Sequence, residues 1–185
     1  MAIQPQRKLS YEDYARFPDD GRRWEVIDGE AFLVPSPDTE HQDVAGRLYR
    51  RIAEHLDAHG GGRVFISPLD VIFSDHDILQ PDVIFVADEH ASVITDKNIR
   101  GTPTWLVEIV SDPVRDLRVK RDTYLRFGVQ EYWALEPELR RLEVFVPGAE
   151  PLRYEAPATV PSGVLPGLDI DLEDVLGPDR RPRRH

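Results

Sequence analysis

Cysteine is absent from the 185-residue chain, and this absence excludes disulfide bonds and thiolate metal sites. The chain also lacks any apolar run close to the ~20 residues that a membrane-spanning helix needs. Its first residues, MAIQPQRKLSYEDY, contain no hydrophobic segment after the basic ones, so we expect no signal peptide. Together these absences predict a protein of the reducing cytoplasm that has no membrane segment.

Positive charge is scarce, with 23 Lys and Arg against 34 Asp and Glu and a formal net charge of −11. This balance argues against a protein that coats nucleic acid non-specifically, because phosphate binding depends on Lys and Arg. The stretch 112–126 is nevertheless locally basic and includes Arg118 and Arg121. These two residues are candidate contacts to a polyanionic substrate, the alternative being an ordinary solvated helix face.

The pattern of short strands and two main helices predicts an α/β or α+β fold with a central mixed sheet. RWEVIDGEAFLVP indicates a β-hairpin with a tight turn at Asp28-Gly29. A helix with an apolar stripe extends from about Asp38 to the glycines at 60–62, and a second begins at Asp112-Pro113 and ends near Gly128. A loop is expected over 88–103. One domain over 1–177 is expected, followed by a basic, disordered tail at 178–185.

Three carboxylates lie in, or directly before, apolar strands: Glu25 in WEVI, Asp82 before VIFV, and Glu108 in LVEIV. An ionised carboxylate buried there costs many kcal/mol unless a cation, a proton or several hydrogen bonds replace its water. Three carboxylates on neighbouring strands would also repel each other. A divalent ion such as Mg²⁺ or Mn²⁺ would remove this repulsion, and Mg²⁺ accepts a small number of carboxylates together with water and phosphate oxygens.

Two further residues are candidates for a role beside the carboxylates. Lys120 lies in the helix that follows Glu108, and its long, compactly charged side chain suits the neutralisation of phosphate; alternatively it is an ordinary surface lysine. His41 lies one turn before Val44 and Ala45 on the apolar stripe of the long helix. We expect it to contact substrate or act as a base, the alternative being a hydrogen-bonded packing residue.

An ordered set of motifs resembles the Uma-type family of putative restriction endonucleases, within the PD-(D/E)XK nuclease superfamily. The set comprises WEVIDGE, EHQ at the start of the long helix, LQPDVIFV, LVEIVS, a lysine in the next helix, FGVQEYW and a late LPGL. The resemblance implies a restriction-endonuclease-like core, a central mixed sheet flanked by helices. It assigns Asp82 and Glu108 as ligands of Mg²⁺ or Mn²⁺, with Lys120 and Glu25 completing the catalytic set.

One position departs from the superfamily pattern, which has lysine two residues after the glutamate, where this chain has Val110. The Uma-type pattern takes its lysine from the following helix, where Lys120 stands. Glu30, in the same hairpin as Glu25, is an alternative for the third acidic position, although it adjoins the turn.

The function implied is a metal-dependent endonuclease that hydrolyses DNA phosphodiester bonds with an activated water, working as a homodimer when both strands are cut. A non-catalytic descendant of the fold that binds nucleic acid or protein is the alternative. A glycoside hydrolase with two carboxylates is disfavoured because the sequence has no clear aromatic platform for a sugar.

Overall fold

Two β-sheets form the centre of the structure, a computed structural model that describes residues 7–179. The strands in chain order are β1 Arg23–Ile27, β2 Glu30–Val34, β3 Gly62–Ile66, β4 Val71–Ser74, β5 Asp77–Leu79, β6 Val83–Ala87, β7 Ile99–Arg100, β8 Trp105–Ile109, β9 Glu131–Glu136, β10 Arg141–Phe145, β11 Leu152–Glu155, β12 Thr159–Pro161 and β13 Asp169–Asp171.

The larger sheet has the order β11-β10-β9-β8-β6-β3 in this part of the chain. It is mixed, because β8 and β9 run parallel while the other neighbours are antiparallel. The second sheet has the order β2-β1-β5-β4-β7, and β12 pairs with β13. The predicted central mixed sheet is therefore confirmed, but the predicted hairpin belongs to the second sheet and not to the central one.

The helices are α1 Tyr11–Tyr14, α2 Thr39–His59, α3 Arg121–Arg126 and α4 Leu172–Leu176, with a 3₁₀ segment over Asp88–Val93 and a π-helical segment over Arg115–Lys120. The side chain of Asp38 caps α2 by accepting a hydrogen bond from the His41 amide, and α2 ends at Gly60. No helix within residues 7–179 is long and apolar enough to cross a membrane.

The helices cover opposite faces of the larger sheet, and this layering produces two hydrophobic clusters. On one face, Val44, Leu48 and Ile52 of α2 pack with Trp105 and Trp133. On the other face, Tyr124 of α3 packs with strand residues of both sheets, including Leu106, Tyr132, Val71 and Leu79. The strands β8 and β9 are buried along their whole length, as expected for strands covered on both sides.

Most predicted elements are confirmed, and the differences lie in the short ones. The hairpin turn has positive φ angles at Asp28 and Gly29, as the sequence indicates. Strands β5, β7 and β12 and helix α4 were not predicted, because each has at most five residues and too little periodicity to identify. The predicted 88–103 loop contains the 3₁₀ segment and β7. The disorder predicted for the tail falls mostly on 180–185, outside the described residues.

We predict opposite effects of alanine at two glycines. A Cβ at Gly62 would lie 2.7 Å from the Phe85 ring and also overlap the Val86 carbonyl, so Gly62→Ala forces β3 away from β6 and costs ~1–3 kcal/mol. Gly46, inside α2, has open space around a new Cβ, so Gly46→Ala stabilises the protein by up to ~1 kcal/mol. Urea unfolding of both variants measures the difference. Equal free energies of unfolding would contradict the β3–β6 packing described here.

Candidate active site

A cavity of about 400 Å³ opens at the edge of the larger sheet where β6 begins and β8 ends. Its wall combines α2, the 80–82 segment, the end of β8, the π-helical segment and the β9–β10 turn. Among the lining residues are Arg23, Asp38, Glu40, His41, Gln80, Asp82, Glu108, Arg115, Asp116, Lys120, Glu136 and Glu138. Four of the predicted site residues therefore share one cavity: His41, Asp82, Glu108 and Lys120.

Asp82 and Glu108 are brought together by the pairing of β6 with β8. Val83 is opposite Val107, and one further step in this antiparallel register places Asp82 across from Glu108. Beyond the last paired residues a side chain replaces the backbone acceptor, because Asp82 Oδ2 accepts a hydrogen bond from the Ile109 amide at 2.8 Å. The sheet register thus determines how close the two carboxylates lie.

His41 makes the second contact to the same oxygen of Asp82. Its Nε2 lies 3.1 Å from Asp82 Oδ2, while its Nδ1 is buried without a hydrogen-bond partner in the described chain. The structure therefore places His41 against a predicted metal ligand, and its contact with substrate stays a prediction.

Lys120 lies between two buried carboxylates. Its Nζ is 2.9 Å from Glu25 Oε1 and 3.0 Å from Glu108 Oε1, and all three side chains are at most 4% exposed. The Tyr124 hydroxyl donates a further hydrogen bond to Glu108 Oε1 at 2.5 Å, and the backbone amide of Gln80 donates to Glu25 Oε1 at 2.9 Å. The lysine of the helix reaches the acidic cluster, so the alternative of an ordinary surface lysine is wrong.

The charges of this cluster depend strongly on one another. Burial raises the pKa of Glu108 well above its usual range, and the Lys120 ammonium only partly offsets this effect. For Lys120, burial alone would lower the pKa, but Glu108 and Glu25 outweigh burial and raise it. Burial also keeps the pKa of Tyr124 far above its usual value, so its hydroxyl stays protonated and donates. Lys120 is the permanent charge that makes the buried carboxylates tolerable.

The third acidic position is occupied by Glu25, and Glu30 takes no part in the cluster. Glu25 is completely buried on β1, whereas Glu30 is exposed beside the turn. Glu25 does not lie on a strand next to Asp82 and Glu108, as the sequence suggested, but in the second sheet. Lys120 bridges the two sheets because it contacts Glu25 on one and Glu108 on the other.

Lys120 lies at the end of the π-helical segment. The sequence predicts a regular helix from Asp112-Pro113 to Gly128, and the structure differs because the part over Arg115–Lys120 is π-helical. The carboxylate of Asp116 accepts hydrogen bonds from the amides of Ser111 and Asp112 at 3.0 Å, which anchors the segment to the end of β8. The Tyr132 hydroxyl donates to the Asp116 carbonyl at 2.9 Å. Single π-turns inside helices occur often at functional sites. Residue periodicity cannot reveal such a turn, because these anchors come from other elements.

The free oxygens of Asp82 and Glu108 fit a divalent cation. Within residues 7–179, no hydrogen bond reaches Asp82 Oδ1 or Glu108 Oε2. Asp82 Oδ2 accepts from the Ile109 amide and lies beside His41, and Glu108 Oε1 accepts from Lys120 and Tyr124. No group of three or more His, Cys, Asp or Glu side chains within the described residues is arranged to hold a metal ion, so the protein would supply two ligands and not a complete set. Two carboxylates with room for water and phosphate oxygens is the usual environment of Mg²⁺, so the residues present fit this ion.

Arg118 and Arg121 do not line the cavity. Both lie on the outer side of the π-helical segment and the start of α3, along a second depression. Arg115, which sequence reasoning did not single out, does line the cavity, and its Nε lies 3.4 Å from Asp116 Oδ1. Its position in the locally basic stretch 112–126 was a signal, but the four arginines of that stretch could not be told apart without the helix geometry.

We predict that Lys120→Met destabilises the protein by ~3–5 kcal/mol at neutral pH, because Glu25 and Glu108 then lose their cation. The loss should shrink as the pH falls, because protonation removes the negative charges of the two carboxylates. In the variant, a buried carboxyl whose pKa is raised above its unfolded-state value contributes stability at low pH, and this stability is lost as the pH rises. Urea unfolding of variant and wild type between pH 5 and 8 measures it.

Tyr124→Phe is the matched control, because it removes one hydrogen bond to Glu108 and leaves Lys120 in place. Its expected cost is ~1.5–3 kcal/mol. A Lys120→Met loss that is the same at every pH would mean that packing, and not charge, is what Lys120 supplies.

Comparisons with known proteins agree with this architecture. The family model described as "Uma2: Putative restriction endonuclease" matches residues 11–173. The crystal structure of a putative nuclease belonging to DUF820 from Anabaena variabilis ATCC 29413 is similar, with 21% identity and a TM-score of 0.77, covering 91% of this chain and 97% of that chain. No curated protein matches significantly. The family match spans most of the sequence, and the chain belongs to the Uma2 family of putative restriction endonucleases.

Proposed function

We propose that this protein is a divalent-metal-dependent endonuclease that hydrolyses DNA phosphodiester bonds. Asp82 and Glu108 would hold Mg²⁺ or Mn²⁺. The bound ion would supply an activated water at neutral pH and stabilise the charge that develops on the phosphoryl oxygens. Membership of a family of putative restriction endonucleases supports this class of reaction.

One observation carries the proposal: the two facing carboxylates are each satisfied on one oxygen only. Oδ2 of Asp82 is held by Ile109 and His41, and Oε1 of Glu108 by Lys120 and Tyr124. The remaining oxygens belong to residues that line the same cavity. Within residues 7–179, the second oxygen of Glu25 is buried without a partner, whereas the remaining oxygens of Asp82 and Glu108 are not among the buried unpaired atoms, so water or an ion can replace their lost hydration.

The chain's own residues have separable tasks in this proposal. His41 and the Ile109 amide orient Asp82, and Tyr124 orients Glu108. Lys120 adds a permanent positive charge beside the carboxylates, which favours an anionic phosphate in the cavity. Glu25 is sealed behind Lys120 and holds its ammonium in place, so it acts through the lysine and does not touch substrate.

We expect Mg²⁺ or Mn²⁺ at millimolar concentration to raise the melting temperature, because the ion binds only the folded state. Asp82→Asn should abolish this rise, since it removes one ligand charge from the site. Glu30→Gln, a change of one charge on the exposed part of the hairpin, should leave the rise unchanged. A thermal shift assay with and without EDTA measures it, and no metal-dependent rise in the wild type would refute the metal site.

Cleavage is tested on supercoiled plasmid with Mg²⁺, Mn²⁺ or EDTA, at a temperature where circular dichroism shows each variant folded. Wild type should nick the plasmid only with metal. Glu108→Gln and Lys120→Met should each lower the rate at least ~100-fold, because they remove a metal ligand and a charge next to the phosphate. Glu30→Gln should cleave at the wild-type rate.

Metal-dependent stabilisation without cleavage of the plasmid or of linear and single-stranded DNA would favour the non-catalytic alternative, a binding protein that retains the metal site.

Cutting both strands calls for two active sites, so we also propose a homodimer. Sedimentation that finds only monomer at the assay concentration would refute it. The absence of cysteine supports the cytoplasm as the place of action.

A further inference from the structure

A second depression lies beside the cavity, and its charge is opposite to that of most of the protein. Pro113 belongs to the walls of both, so the two are adjacent. The depression is lined by four arginines against one carboxylate: Arg118, Arg121, Arg141, Arg153 and Glu143. We call it the arginine groove. Four arginines in one place stand out in a chain whose formal net charge is −11.

Sheet geometry builds one wall of the arginine groove and the helix builds the other. Side chains alternate along β10, and Phe145 packs in the cluster on the α3 side of the sheet. Arg141 and Glu143 share the face of Phe145, and Arg153 of β11 is directly opposite Glu143. Arg121 lies over the Phe145 ring, with its guanidinium carbon 5.5 Å from the ring centroid. The groove is therefore held by regular elements on both sides.

The arginines retain positive charge after their internal pairs are counted. Glu143 is shared, since its Oε1 lies 2.7 Å from Arg153 and 3.7 Å from Arg141. Arg141 also pairs with Glu136 at 2.6 Å, and Arg121 pairs with Asp122 at 2.7 Å. Arg118 is exposed, and its side chain makes no ion pair or hydrogen bond within residues 7–179. Arg118 is thus the cation most available to an incoming anion.

The cavity wall at the start of α2 is acidic. Asp38 and Glu40 line the cavity there and are exposed, and α2 covers the face of the sheet opposite to α3. This acidic rim repels a phosphate backbone, whereas the arginine groove attracts it, and both effects are strongest within about 8–10 Å at physiological salt. An extended polyanion that reaches the cavity is therefore driven toward the groove.

We propose that the arginine groove binds the sugar–phosphate backbone of the DNA that flanks the scissile phosphate, and that Arg118 is its main contact. This inference rests on the proposed function, because it assigns the surface along which the DNA substrate of that same site continues beyond the cavity. It concerns affinity and orientation, and none of the groove arginines takes part in bond cleavage.

Binding is measured separately from cleavage, with a fluorescently labelled 20-base-pair duplex and anisotropy at several salt concentrations, in EDTA and in Ca²⁺. A gel verifies that the duplex stays intact. Arg118→Ala should weaken binding about three- to tenfold at low salt, and Arg118→Ala/Arg153→Ala more. Each lost phosphate contact should reduce the slope of log Kd against log salt by about 1.

Arg50→Ala is the matched control, because it removes one exposed arginine from α2, on the opposite face of the sheet. It should leave the salt slope unchanged, and unchanged melting temperatures should show that all variants fold. Equal loss in Arg50→Ala and Arg118→Ala would overturn the proposal, since general charge would then explain it. A wild type with no salt-dependent binding in either buffer would overturn it as well.

The two proposals fail in different ways. Loss of plasmid nicking in the metal-site variants with unchanged duplex affinity leaves the groove intact. Conversely, unaltered duplex affinity and salt slope in the Arg118 variants, with metal-dependent nicking retained, removes the groove assignment and leaves the nuclease proposal untouched.

Discussion

The buried ammonium of Lys120 between Glu25 and Glu108 is the interaction on which the rest of the site depends. It connects three parts of the molecule: a strand of the second sheet, a strand of the central sheet, and a π-helical turn. A charge in this position is stable only if both carboxylates are present, and the carboxylates are stable only if the lysine is present. The stability of the fold and the geometry of the site therefore depend on the same three side chains.

The hydrogen bonds around Asp82 and Glu108 leave the site prepared for a ligand. In each carboxylate the protein contacts one oxygen through two groups, while the other oxygen accepts no hydrogen bond from residues 7–179. Such fixed polar groups bind a cation without having to reorganise, which is the way a protein favours a charged reaction centre. Glu25 differs because it is fully enclosed, and its second oxygen is buried without a partner in the described chain. It is suited to hold the lysine and not to bind a ligand.

Net charge is a poor guide to where this protein would meet a polyanion. The net negative charge is a sum over residues of the whole surface. Salt screening limits the effect of each charge to its immediate surroundings. Lys120 and Arg115 lie on the π-helical segment, the arginine groove adjoins this segment, and the acidic rim lies at the start of α2. The local arrangement, and not the sum, determines the direction from which an anion can approach.

The amino-acid sequence by itself determined the central mixed sheet, the hairpin at Asp28-Gly29, the limits of the long helix and the three buried carboxylates. These features are local, since periodicity, turn chemistry and a charge within an apolar strand can all be detected over a few residues. Only the tertiary structure decided that Glu25 comes from a second sheet, that His41 contacts Asp82, and that a π-turn directs Lys120 inward. Each of these facts depends on contacts between residues far apart in the chain, which local sequence patterns do not encode.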